Sequence, residues 1–324
     1  MLSIIIPLYN KEKYIAQTLN CVINQTYKEF EVVIVDDGST DKSLVEVASF
    51  KDDRIRVVNQ KNSGVSSARN RGILESKSSF LLFLDADDLW ENDFLESMIR
   101  LKNNYPHCSV FASNYKILNN KHQYQSLVIR GLPQDFHDGI LNNYFDIASK
   151  SDPILWTSAI MVEKKAIESI GGFPIGIRAG EDLLTWARLA AKYDIVYSSQ
   201  EKAIFNRVDE GLNIAPRIPD THNKVGEGLY ELLELKDTKR LQGLKQYIAS
   251  WHKIRLAIFL RLGEALEAKK EFKYMTKFAK KDFKLFIYAL LVFSPNFLKQ
   301  SLHLVALKTN SLYKNYILSR KEKK

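Results

Sequence analysis

The first 115 residues repeat one unit: a short continuous apolar run, a polar stretch, then a segment of helical periodicity. The runs fall at residues 3–6, 30–35, 55–58, 80–84 and 109–112. Between them Ile15, Leu19, Val22 and Ile23 recur at helical spacing, and Phe94, Met98 and Leu101 share a face further on. Strands this largely apolar need cover on both faces. Alternation with helices therefore predicts an α/β fold with a mostly parallel, Rossmann-like sheet. In such sheets ligands sit outside the carboxyl ends of the strands.

Each of the first four runs ends in polar residues: "PLYN" (7–10), "DDGSTD" (36–41), "NSGVSSARNRG" (62–72) and "DADD" (85–88). Four strand ends on one rim thus carry Asp, Asn, Ser, Arg and Gly. The last is electrostatically costly, because two carboxylates about 5 Å apart repel by roughly 3 kcal/mol at an effective dielectric near 20. In an extended chain Asp85 and Asp87 point to one side. A hard divalent cation, Mn²⁺ or Mg²⁺, relieves that repulsion and takes substrate phosphates as its remaining ligands. A D-x-D pair also suits a surface turn, and Asp88 reads as a helix cap.

The other rim segments carry similar alternatives. In "DDGSTD", Ser39 or Asp41 can cap a helix, whereas a carboxylate at 36 or 37 can accept a uracil imide or a ribose hydroxyl. Gly64 opens a helix whose N-terminus suits an anion, and Arg69 and Arg71 offer bidentate contacts to phosphate or carboxylate. No phosphate-binding G-x-x-x-x-G-K-[ST] occurs, and no G-x-G-x-x-G follows the first strand. An aspartyl-phosphate phosphatase needs its acidic motif after strand one, so it is excluded. "GEDLLTWARLAAKY" (180–193) reads as a helix with Glu181 and Asp182 in its first turn, complementing the dipole or serving as a base. Residues 155–162 read as a strand, 131–139 as a loop and 170–174 as a turn.

Composition divides the chain. The net charge of +9 arises from residues 223–324, with 22 Lys and Arg against nine Asp and Glu; residues 1–222 hold 25 against 29. We expect two parts, 1–222 and a basic, helical 223–324. In the latter Tyr247, Trp251, Ile254 and Ile258 share a face, with Lys245, Lys253, Arg255 and Arg261 nearby. The run 283–293 is apolar but too short to span a bilayer. Such a run beside lysines fits either a packed subdomain or an anionic membrane surface. No nucleic-acid recognition motif accompanies the charge. Cys21 and Cys108 form no disulfide framework or metal spacing, which fits a reducing, cytoplasmic compartment. The N-terminus reads as a first strand rather than a signal peptide.

The ordered set "SIIIPLYNKEKYIAQTLNCVINQTYKEFEVVIVDDGSTD", "NSGVSSARNRG", "FLDADD", "GGFP" and "GED" resembles the family 2 glycosyltransferases over about residues 1–220. These are inverting enzymes with the GT-A fold that use nucleotide-diphosphate sugars. The resemblance implies that Pro7, Tyr9, Asn10 and Asp37 hold the nucleoside. Arg69 would border the pyrophosphate with Asn62 and Gly64. Asp87 would bind the metal, with Asp85 contacting ribose or sugar and supporting the metal. Asp182 would be the base, with Glu181 as runner-up. Trp156 and Trp186 are candidates for the acceptor site or the core. The implied activity is transfer from a UDP-sugar to a glycan or lipid-linked acceptor in cell-surface polysaccharide or glycolipid synthesis. A departure is "AIFNRVDEGLN" (203–213), where some relatives carry a histidine; Arg207 is the alternative contact. Rival readings are a non-catalytic nucleotide-sugar binder, which the D-x-D and base argue against, and a nucleotidyltransferase. The latter needs a glycine-rich basic loop where this chain has "PLYNKEKY". The oligomeric state, sugar and linkage are not encoded in any motif.

Overall fold

The computed structural model describes residues 1–208, 220, 222–236, 239–279 and 283–293. Its strands are β1 (Leu2–Leu8), β2 (Phe30–Asp36), β3 (Ile55–Asn59), β4 (Phe80–Phe83), β5 (Leu89–Trp90), β6 (Val110–Leu118), β7 (Tyr124–Ser126), β8 (Asp138–Ile140), β9 (Ile160–Glu163) and β10 (Ile195–Asn206). Its helices are α1 (Ile15–Ile23), α2 (Ser43–Ala48), α3 (Val65–Glu75), α4 (Phe94–Asn104), α5 (Tyr144–Ala148), α6 (Lys164–Glu168), α7 (Glu181–Lys192), α8 (Lys224–Glu231), α9 (Leu244–Leu262), α10 (Ala265–Phe278) and α11 (Phe283–Phe293).

The strands form one sheet in the order β3-β2-β1-β4-β9-β6-β10-β5, with β7 on β6 and β8 on β10. Strands β3, β2, β1 and β4 run parallel, with Ile4 opposite both Val32 and Leu82. Strand β9 runs antiparallel between β4 and β6, and β10 is parallel to β6. The expected mostly parallel α/β sheet followed by helices is therefore observed.

Side-chain alternation explains the two-faced cover. Ile4, Ile6, Leu82 and Leu84 pack with Ile15 and Leu19 of α1 and Phe94 and Met98 of α4. Ile5, Leu81 and Phe83 join a second core with Ile73 of α3 and Leu184 and Trp186 of α7. Helix α3 reaches the sheet closely because Gly72 lies against Ile5, whose side chain occupies the space a Cβ would need.

Helices α8 and α9 add Val225, Leu229, Tyr247, Ile248 and Trp251 to that second core. The other side of α9 packs Leu256 and Phe259 with Ala268 and Met275 of α10 and Tyr288 and Val292 of α11.

Two local expectations are corrected. The strand expected from residue 155 starts at Ile160, because residues 157–159 form a 3₁₀ turn closed by the Ala159 N–H on the Trp156 carbonyl at 2.8 Å. The loop expected at 131–139 ends in strand β8, paired with β10. Arg255, near the Tyr247 face, is 2% exposed, and its Nε donates to Glu271 Oε1 at 2.7 Å. Pro295 and the terminal "SRKEKK" lie outside the described residues.

Overpacking at the α3–β1 contact gives a direct check. Gly72→Val should destabilise the fold by about 2 kcal/mol or more, since added bulk in a filled core forces neighbours to move. Urea unfolding would show this as a lowered midpoint; an unchanged midpoint would refute the close approach.

Candidate active site

The carboxyl ends of β1 to β4 form one rim. Beyond β1, Asn10 takes a left-handed backbone (φ 51) and its side-chain oxygen accepts the Thr40 N–H at 2.8 Å. Tyr9 stands exposed beside it, and Pro7 is half-buried within β1. Beyond β2, Asp37 is buried. It accepts the N–H groups of Ser63 and Gly64, both at 2.8 Å, and Gln60 Nε2 at 2.7 Å. Asp37 thus fastens the 60–64 loop to the sheet, leaving Asn62 exposed and Gly64 at the start of α3.

Helix α3 aims Arg69 inward. Its Nη2 donates to Asp85 Oδ1 at 2.7 Å and its Nη1 to Glu181 Oε1 at 3.3 Å. The next residue, Asn70, sets the floor: its amide donates to the Phe173 carbonyl and accepts the Phe173 N–H, both at 2.8 Å. The clamped Phe173 ring lies 5.1 Å below the Arg69 guanidinium. Burial opposes the Arg69 charge, but Asp85 and Glu181 outweigh it and hold the group cationic. Arg69 Nε and Glu181 Oε2 are buried with no hydrogen-bond partner among the described residues.

Asp182 follows Glu181 in the first turn of α7, half-buried, accepting the Leu183 N–H at 2.8 Å. Desolvation, then the neighbouring Glu181, push its carboxyl up to about 6, against the pull of Arg69. Gly180 begins the helix at φ 88, and its missing Cβ leaves room for the Trp251 ring from α9. The Trp251 indole N–H is held by Asn223 Oδ1 at 2.9 Å. The C-terminal helices therefore brace the turn that carries both acidic residues.

The "DADD" segment is a turn, not an extended chain. The Asp88 N–H closes on the Asp85 carbonyl at 2.9 Å, so Asp85 and Asp87 reach different cations. Asp85 meets Arg69, and Asp87 is ion-paired with Lys11. Asp88 is no helix cap; Asp93 occupies the N-cap of α4. Asp88 is 1% exposed and accepts Ser158 Oγ at 2.6 Å, Trp156 Nε1 at 2.9 Å and the Asn206 N–H at 3.1 Å. Burial, then Asp87 and Asp85, push its carboxyl well above the usual range. The three carboxylates thus coexist through three different arrangements: a buried arginine, a half-buried lysine and a set of neutral donors.

The structure gathers Arg69, Asp85, Glu181 and Asp182 into one cluster. It places the nucleoside candidates on the adjoining rim and sets Asp87 on the side facing Lys11. Trp186 is fully buried against Phe83 and Phe173, a core residue. Trp156 stacks between Tyr115 and Phe205, with centroids 5.5 and 4.1 Å away. Arg207 is buried, its guanidinium 5.5 Å from the Phe205 ring; residues 209–213 lie outside the described residues. Sequence reading missed Lys11, Thr18, Asn70, Ser158 and Trp251. Thr18 Oγ1 lies 3.0 Å from both the Ala86 and Asp88 carbonyls. Only Lys11, adjoining Asn10, and Asn70, adjoining Arg69, carried any positional signal.

Among the described residues no three His, Cys, Asp or Glu side chains converge as a metal cage. Asp85 and Asp87 offer carboxylate oxygens, the ligand type that a hard divalent cation takes, and each is held here by a cation of the chain, Arg69 and Lys11. The unpartnered polar atoms of Arg69 and Glu181 fit a polar ligand at the same place.

Comparison with known proteins bears on the family and the fold. Residues 3–170 match the family model "Glycosyl transferase family 2". An uncharacterized glycosyltransferase of Rickettsia felis is 34% identical over 198 residues, covering 60% of this chain and 31% of the relative. The Escherichia coli UDP-Glc:alpha-D-GlcNAc-diphosphoundecaprenol beta-1,3-glucosyltransferase WfgD is 38% identical over 123 residues, covering 37% and 47%. This chain thus spans less than half the length of either relative. In fold it is similar to Staphylococcus aureus TarS 1–349 in complex with UDP-GlcNAc, with a TM-score of 0.67, 19% identity and coverage of 99% and 93%. It also resembles the Pyrobaculum calidifontis mannosyltransferase PcManGT in complex with GDP-Man and Mn²⁺, at TM-score 0.55, 17% identity and coverage of 95% and 86%. With its family model matched over more than half its length, a GT-A-like sheet and an acidic rim at the strand ends, the chain belongs to glycosyltransferase family 2.

Proposed function

We propose that this glycosyltransferase moves a sugar from a UDP-sugar to a hydroxyl of a glycan or lipid-linked acceptor, inverting the anomeric centre. The observation that carries the reading is the Arg69 junction. One buried guanidinium joins the D-x-D turn to the helix bearing Glu181 and Asp182, so donor-binding and proton-accepting groups adjoin. Pro7, Tyr9, Asn10 and Asp37 border the nucleoside, and Asn62, Gly64 and Arg69 the diphosphate. Asp87, supported by Asp85, would hold Mn²⁺ or Mg²⁺, which when bound neutralises charge developing on the departing diphosphate. Asp182 takes the acceptor proton. A carboxyl pushed up to about 6 is ionised at neutral pH yet more basic than an ordinary aspartate. Glu181 is engaged by Arg69, which favours Asp182 for this role. The names of WfgD and the TarS complex support a UDP-sugar and a lipid-linked acceptor.

Screening the protein against UDP- and GDP-sugars with Mn²⁺ tests the donor, with UDP release as the expected signal and Asp87→Ala abolishing it. Full activity in that variant, or with all divalent metal chelated, would sink the metal assignment.

The base must be deprotonated to act, so activity should be present above about pH 6 and fall as pH drops through that value. Asp182→Asn should lower kcat by about 10²- to 10⁴-fold. Glu181→Gln removes the neighbouring charge that raises Asp182, so its acid limb should persist and move to lower pH. Loss of the acid limb in Asp182→Asn alone would secure the assignment; loss in Glu181→Gln alone would transfer the role to Glu181.

We also infer that residues 223–324 form a region that associates with an anionic membrane surface. Helix α10 exposes Lys269, Lys270, Lys273, Lys277 and Leu266, and exposed Phe293 of α11 lies 6.0 Å from the Lys269 ammonium. Lysines beside apolar side chains suit that interface. Among the described residues no helix is long and apolar enough to cross a membrane. The full chain should co-sediment with vesicles containing anionic lipid at low salt and not with neutral vesicles. Failure to bind either kind would count against the surface.

A further inference from the structure

Asp85, Asp87 and Asp88 lie within four residues, and their partners differ in one respect. Asp85 is paired with Arg69, whose side chain is 4% exposed. Asp88 is enclosed by the donors of Ser158, Trp156 and Asn206. Asp87 is paired with Lys11, and these side chains are 31% and 32% exposed. Solvent reaches this pair, so it opens at small cost. We propose that Lys11 is a tethered cation that occupies Asp87 until a divalent metal and the donor diphosphate arrive together, making metal binding depend on the nucleotide. This rests on the donor and metal assignments above.

The root of Lys11 is fixed, and its ammonium is held by Asp87 at the end of a flexible stem. Its backbone N–H donates to Ser43 Oγ at 2.7 Å, and it follows Asn10, whose own N–H donates to Ser39 Oγ at 3.1 Å. From that anchor a flexible four-carbon stem carries the ammonium to Asp87, 5.6 Å from the Tyr14 ring. A metal binding at Asp87 without nucleotide must displace the ammonium and then leave two cations side by side. A nucleoside diphosphate on the same rim changes the balance, because the released ammonium gains a phosphate partner within reach of its stem. Lys11 therefore opposes metal alone and favours metal with nucleotide. It is a positioning residue, acting through Asp87.

Electron paramagnetic resonance of free Mn²⁺, titrated with the full chain in the absence and presence of UDP, separates these cases without measuring transfer. Without UDP, Lys11→Gln should bind Mn²⁺ about fivefold tighter than wild type, the factor matching the upper range for an exposed ion pair. With UDP, the tightening seen in wild type should be several-fold smaller in Lys11→Gln. Lys11→Arg, which keeps the charge, should follow wild type. Equal Mn²⁺ affinity of Lys11→Gln and wild type without UDP, or an undiminished response to UDP, overturns the inference alone. Absence of Mn²⁺ binding in both proteins under both conditions overturns the metal assignment and the inference with it.

Discussion

The site is organised by one buried positive charge. Moving a guanidinium out of water costs several kcal/mol after relaxation, and only well-placed anions offset it. Arg69 has two, Asp85 from the end of β4 and Glu181 from the start of α7, which are 96 residues apart in sequence. The requirement runs both ways: without the arginine, both acidic groups would face each other uncompensated. That mutual dependence fixes the relative position of the D-x-D turn and α7. The Phe173 ring below the guanidinium, itself pinned by Asn70, completes the enclosure.

A second constraint is the turn at Ala86 and Asp87. Had the strand continued straight, its carboxylates would have crowded one side of the sheet. Reversal of the chain sends Asp88 into the protein and Asp87 toward solvent, and the buried member ties the motif to two distant segments. Through Ser158 and Trp156 it fixes the 3₁₀ turn before β9; through the Asn206 N–H it fixes the end of β10. An acidic side chain that first reads as a surface cap is therefore a central tie.

Much of the scaffold was legible because its cause is local. Largely apolar runs at 30–35 and 80–84 state that both faces are covered, and they formed β2 and β4. The polar strand ends marked the rim for the same reason. What escaped depends on contacts that sequence spacing does not encode. Strand β10, with its irregular register against β6 and mixed exposure, lacked an apolar run that would announce it. Arg255 reads only as a basic residue near an apolar helical face; its burial depends on Glu271 of α10, which accepts its Nε–H. The turn at 157–159 came from demands made by Asp88, about 70 residues earlier. Candidate residues could be assembled as a set through family resemblance, while neighbours such as Lys11 and Trp251 needed coordinates.

Trp251 links two parts of the chain that differ in charge and composition. Its ring fills the space beside Gly180, so helix α9 and the first turn of α7 share a contact without slack. Close-packed interiors transmit displacement instead of absorbing it. Any ligand or surface that shifts α9 by a fraction of an ångström therefore moves the carboxylates at 181 and 182 relative to the sheet. The C-terminal helices are in this sense a mechanical input to the turn that carries Glu181 and Asp182.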